Sequence, residues 1–205
     1  MPRSFILRLI VSLEYILIAG TGFFLLFFNV IHEDYKITVL TFTFMVSFVP
    51  VSFRVYTKEW DGKSLGFRLD NLKETFSVYL FATLLGLVAL VFYSFVFKTH
   101  SSISQTTLIY YSIWGAIAQE LLYRAYLYKL GQDLLGENSW LNDTLNVVVF
   151  VGMHALYPGF LEKLWILIPA GFLFTFLWKK YPNIIWICLT HIILNATAVS
   201  LGVFH

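Results

Sequence analysis

Residues Thr106–Leu130 read TTLIYYSIWGAIAQELLYRAYLYKL. The stretch is apolar and long enough to cross the hydrocarbon core of a bilayer, which takes about 20 helical residues. Yet it carries Gln119, Glu120 and Arg124. Ionisable groups inside a span are costly, usually face the bundle interior and mark functional positions. Glu120 and Arg124 are four apart, so a helix puts both on one face, within reach of each other. In a low dielectric, pairing keeps both charged at less cost than either would incur alone. Taken by itself, the pair fits equally well an ion pair that only fixes helix packing.

The rest of the chain has the same character. Of its 205 residues 59% are hydrophobic, 19% aromatic and only 13% charged, against about 25% charged in soluble domains. Its mean hydropathy is +0.75. A soluble domain of this length has nowhere to hide so much apolar surface, whereas a bilayer requires it on the outside. Seven segments read as spans: Phe5–Ile31, Ile37–Tyr56, Thr75–Phe97, Thr106–Leu130, Thr144–Tyr157, Leu161–Trp178 and Asn183–Phe204. The fifth is short for a span. A tilted helix, a helix half-buried behind its neighbours, and one running into the sixth through Pro158–Gly159 all fit it. The expected fold is therefore an all-α polytopic membrane bundle of about seven transmembrane helices, a single membrane domain over 1–205. Arg3 and Arg8 precede an apolar run too long for a signal peptide, with no small-residue cleavage site after it, so this run is the first span.

Lys and Arg in the short loops set the orientation. With the N-terminus in the cytoplasm, ten fall inside (Arg3, Arg8, Arg54, Lys58, Lys63, Arg68, Lys73, Lys129, Lys179, Lys180) and three outside (Lys36, Lys98, Lys163). The loop Thr57–Glu74 is polar, with Leu65, Phe67, Leu69 and Leu72 spaced through it; an ordinary basic loop and a segment dipping into the headgroups fit it equally. The single cysteine, Cys188, excludes an internal disulfide and reads as a small buried apolar residue. The net charge of +2 and the lack of any Lys/Arg-rich run give no footing for nucleic acid.

Two further spans carry polar residues. The fifth holds Phe150 and His154, the seventh His191 and Asn195, one helical turn apart. A lone histidine near a helix end is more often structural, and an intramembrane Asn often bridges helices. Three such motifs on three spans, in this order, point to one shared site. Glu14 stands apart, near the end of the first span, where it snorkels or pairs with Arg8. His32, His100 and His205 fall in loops or at the terminus.

The order of these motifs resembles the CPBP family, which comprises CAAX prenyl endopeptidases of the Ras-converting type and bacterial Abi and bacteriocin-processing proteins. The family pattern is E-E-x-x-x-R, then F-x-x-x-H, then H-x-x-x-N/D. Ser64-Leu65-Gly66-Phe67-Arg68 is similar to a segment that many members carry. The resemblance covers roughly 64–200, so that a CPBP-like core over 64–204 follows an N-terminal helical pair over 1–63. It implies a multi-pass protein of a bacterial or archaeal cell membrane. It also implies that Glu120, His154, His191 and Asn195 are catalytic, supported by Gln119, Arg124 and Phe150. In the family's proposed mechanism the first glutamate and the second-motif histidine activate a water, and the third-motif pair stabilises the oxyanion. Here the first glutamate is Gln119, whose amide is no useful base, and Ala125 replaces a common glycine.

Three readings follow. The first is hydrolysis of a membrane-anchored peptide or prenylated protein, with Glu120 or His154 as base and His191 and Asn195 as oxyanion donors, each worth about 3 kcal/mol. The second is acyl transfer to a lipid or lipoprotein, with His154 as base. The third is a non-catalytic immunity or binding protein, which the Gln119 substitution suits. None requires a cofactor; a divalent metal such as zinc, held by Glu120, His154 and His191, is a further alternative.

Overall fold

The computed structural model describes residues 12–14, 16–17, 48–99, 111–137, 139–156 and 159–204. Most of the first two expected spans lies outside them. Among the described residues the regular structure is all helical, without strands. A helical stretch 48–56 leads into a loop. Then come α1 (Leu72–Phe97), the continuous helical run 111–135, here α2, α3 (Trp140–Met153), α4 (Phe160–Lys180) and α5 (Ile184–Ser200). α1 packs along α5 and touches α4, α3 packs along α4, and α2 lies against α5 and α3.

α1 and α4 are the two described helices long and apolar enough to cross a membrane. α1 is apolar all round, with no polar stripe to face water. Phe76, Phe81, Leu84, Val88, Val91, Phe92 and Phe95 stand exposed along it, as do Leu161, Trp165, Phe172 and Phe176 on α4. Contiguous apolar surface on this scale marks an interaction with protein or membrane. α5 is apolar but shorter, ending at Ser200 rather than running to Phe204. Gly202 adopts a left-handed φ of 71°. Its amide bonds to the Val199 carbonyl, and the Val203 amide to the Ala198 carbonyl at 2.8 Å, the paired bonds of a Schellman cap. α3 has 14 residues, starts at the Ser139 N-cap and tightens into a 3-10 turn, His154–Leu156. Gly159, at φ 66°, separates it from α4, so the two are not one helix.

α2 is not a regular α-helix. Tyr111–Gly115 and Leu121–Tyr128 are π-helical, flanking the α-helical turn Ala116–Glu120. Such wide turns are rare and concentrate at functional sites. Two asparagines four apart on α3 fasten the second π segment at both ends. Asn146 donates to the Tyr123 carbonyl at 2.6 Å and Asn142 to the Tyr128 carbonyl at 3.1 Å. Thr175 of α4 donates in turn to Asn146 Oδ1. The approach of α2 to α3 depends on Gly131, where a Cβ would lie 1.8 Å from Asn142 Oδ1. Gly131→Ala must therefore push Asn142 off the Tyr128 carbonyl. We expect a loss of about 1–3 kcal/mol, read as a lower melting temperature in detergent; an unchanged melting temperature would mean that Asn142 swings aside freely.

The loop after residue 56 is docked rather than loose. Leu65 is fully buried, Ile184 donates its amide to the Gly66 carbonyl, and the Asn183 amide group donates to the Arg68 carbonyl and to Asn71 Oδ1. Gly66 has φ 73°, and a Cβ there would lie 2.5 Å from the Trp178 ring. On the outer side of this loop Arg68 hydrogen-bonds Asp70, which holds that carboxyl below the usual carboxylate range. Phe67 and Leu69 remain exposed, but Leu65 is part of the core.

Candidate active site

Glu120 closes the α-helical turn of α2 and Arg124 follows in the π segment; both side chains are fully buried. Arg124 Nε lies 3.4 Å from Glu120 Oε2. Its guanidinium sits over the Phe150 ring at 4.9 Å and the Phe174 ring at 5.5 Å. Cation–π attraction is strongest when, as here, the ion is desolvated. Glu120 Oε1 is 2.6 Å from His191 Nδ1, on α5. One carboxylate thus joins α2 to α5 and holds the arginine. The sequence spacing anticipates the first partner; the second joins residues that the chain separates by 71 positions.

The two histidines are oriented alike. His154 Nδ1 lies 2.7 Å from the Phe150 carbonyl, which can only accept, so Nδ1 carries the proton. An ionised Glu120 likewise accepts from His191 Nδ1. In each neutral ring the remaining nitrogen, Nε2, then holds the lone pair. Both rings line a cavity of about 300 Å³, together with Phe150 and Asn195. Phe150 is the partition behind them: its ring lies 4.7 Å from His154 and 6.1 Å from His191, with Arg124 against it as well.

Of the seven site residues expected from the sequence, four (Phe150, His154, His191 and Asn195) meet at this cavity. Glu120 and Arg124 stand behind the wall. Gln119 is half-buried and is not part of the lining; its buried Oε1 makes no hydrogen bond among the described residues. Glu120 is therefore placed as the partner of His191 rather than as a base facing a substrate. As for the alternative zinc triad, Glu120 meets His191 at Nδ1, and among the described residues no group of three His, Cys, Asp or Glu is placed to hold a metal.

The remainder of the cavity is apolar. α1 contributes Leu85, Gly86, Ala89 and Leu90, α4 contributes Trp165, Pro169, Ala170 and Leu173, and α5 contributes Leu194 and Ala198. Leu85 is 52% and Trp165 81% exposed, so the rim reaches the outward apolar surface between α1 and α4. Gly86 keeps this wall close, since a Cβ there would lie 2.7 Å from Leu194. Phe204, which follows the Gly202 turn, closes part of the lining. None of these apolar residues stands out in the sequence, because apolar residues fill every span.

Glu14 has partners that the sequence spacing does not suggest. Its carboxylate accepts from Arg54 and from the Tyr126 hydroxyl, and Arg54 lies over the Trp60 ring at 4.6 Å. Arg8, the partner expected, lies outside the described residues. The cluster ties the N-terminal segment to α2, away from the cavity.

A family model described as type II CAAX prenyl endopeptidase Rce1-like matches residues 100–197. The matched segment contains every motif position from Gln119 to Asn195. It upholds the resemblance to the CPBP family, and with it the coarse assignment to a membrane-associated hydrolase of the CAAX-protease kind. No curated protein and no solved structure matches the chain significantly.

Proposed function

We propose that this protein is a multi-pass intramembrane endopeptidase that cleaves a membrane-anchored peptide, such as a prenylated one, with His154 as its base. The observation that carries this reading is the common orientation of His154 and His191. Each has Nδ1 engaged from behind, and both rings line one apolar cavity with Asn195. His154 Nε2 takes a proton from water as the water oxygen attacks the scissile carbonyl. The oxyanion that forms accepts from the Asn195 amide and, when His191 is doubly protonated, from His191 Nε2–H, with Glu120 as counter-ion. His154 then returns the proton to the leaving amine as the C–N bond breaks. Apolar walls exclude bulk water and accommodate a hydrocarbon anchor.

In this reading about seven spans surround the site and the N-terminus is cytoplasmic, as the ten-to-three distribution of Lys and Arg supports. Acyl transfer is the competing reaction, and one observation favours it: no carboxylate lines the cavity among the described residues to share the activation of water. Purified protein in liposomes distinguishes the two. Offered a prenylated peptide and, separately, a lipoprotein, it is expected to release peptide fragments and to leave the lipoprotein's acylation unchanged. Acylated lipoprotein without peptide fragments would overturn the proposal in favour of transfer.

A further inference from the structure

The segment after Ser200 belongs to none of the three motifs, yet its Phe204 lines the site. The Schellman cap at Gly202 reverses the backbone, and the Thr99 hydroxyl, just past α1, donates to the Leu201 carbonyl at 2.6 Å. Val203 is fully buried by this turn. Phe204 is thereby directed back into the bundle, where it is 9% exposed and lines the cavity. Its ring lies 5.8 Å from the His154 ring on one side and 5.6 Å from Lys163 Nζ on the other. A phenyl ring in such a position excludes whatever would otherwise occupy the space next to the imidazole.

We infer that Phe204 is a specificity-determining wall, which limits the length of substrate chain that can lie beside His154. The inference rests on the cavity being the substrate site of the proposed hydrolase. The backbone turn supports it: a rigid, doubly bonded cap holds the ring at a fixed depth, as a gauge must be held. Apolar pockets discriminate among chains by how many methylenes they admit, and a single methylene changes selectivity by about tenfold or more.

The test uses the full-length protein in liposomes and dansylated N-acetylcysteine S-alkylated with a short, a medium or a long chain. Equilibrium binding is measured by fluorescence, and cleavage of peptides bearing the same three chains is measured in parallel. Phe204→Ala is expected to shift the preferred chain to a longer one, by about tenfold in relative affinity. Phe204→Trp is expected to shift it to a shorter one. Gly202→Val strains the left-handed turn and is expected to weaken selectivity with the ring itself intact, while Phe204→Leu, which preserves the turn, gives an intermediate profile. In the peptides the change is expected in the rank order of KM among the three chains. If all variants keep the wild-type rank order of binding, or if the wild type binds none of the probes, Phe204 is not a gauge. Chain-selective binding that Phe204 controls, without cleavage of any peptide, upholds the gauge and overturns only the hydrolase reading.

Discussion

Glu120→Ala is expected to cost the protein both stability and activity, and a second substitution is expected to restore only the first. The carboxylate is fully buried, 3.4 Å from Arg124 Nε and 2.6 Å from His191 Nδ1. Its removal leaves the Arg124 guanidinium in the core against the faces of Tyr123, Phe150 and Phe174, with no hydrogen-bond acceptor among the described residues. Breaking a buried pair in this way costs about 3–5 kcal/mol, a large share of the roughly 5–15 kcal/mol that holds a typical protein folded. Replacing both members with apolar residues of similar volume is often neutral, so Glu120→Met with Arg124→Met should return the melting temperature to near that of the wild type. Activity should not return. His191 still lacks the acceptor that fixes its tautomer and orientation, a loss worth up to about 10⁴-fold where a carboxylate orients an active-site histidine. Melting curves in detergent and peptide cleavage, measured on the single and double variants, separate the two roles. A double variant that is both stable and active would reduce the pair to helix packing.

His154→Ala is expected to do the reverse, with kcat falling by about 10²–10⁴-fold and the fold intact. The side chain hydrogen-bonds the Phe150 carbonyl and lies beside a cavity, so its removal enlarges an existing space rather than opening a new one in the core. KM should change little, because a base contributes chiefly in the transition state. His191→Ala should also abolish activity, but with some loss of stability through Glu120. If both variants cleave peptide at wild-type rates, the cavity binds without catalysis, and the immunity or binding role becomes the better account of Gln119.

The sequence read most clearly where one residue type had few alternatives. Glu120 with Arg124, and His191 with Asn195, were legible because ionisable or amide groups in an apolar span stand out and helical spacing fixes their faces. The third and sixth spans were legible through length and hydropathy, and they correspond to α1 and α4 within a few residues. The end of α5 was misplaced because hydropathy continues through Val203 and Phe204, while a single glycine reverses the chain. The π segments left no mark in composition; their nearest signal was the Asn142–Asn146 pair, two amides four apart at the head of the apolar run Val147–Val151. The partner of Glu14 could not be read because Arg54 is forty residues away, and spacing is informative only within a helix. The role of Glu120 depended on the same limit. Its charge was conspicuous, but only three-dimensional packing directs it to the back of His191 rather than into the cavity.

The rim of the cavity lies on the apolar flank between Leu85 and Trp165. Under the proposed function, a site with such an entrance would draw its substrate from a two-dimensional solution. The quantity that governs its occupancy is the mole fraction of substrate among lipids, not its concentration in the aqueous volume. Adding inert phospholipid at constant total substrate dilutes the reaction as water would dilute a soluble enzyme. A hydrocarbon anchor on the proposed substrate would then do more than supply binding energy, since it would confine the substrate to the thin layer at which the entrance stands.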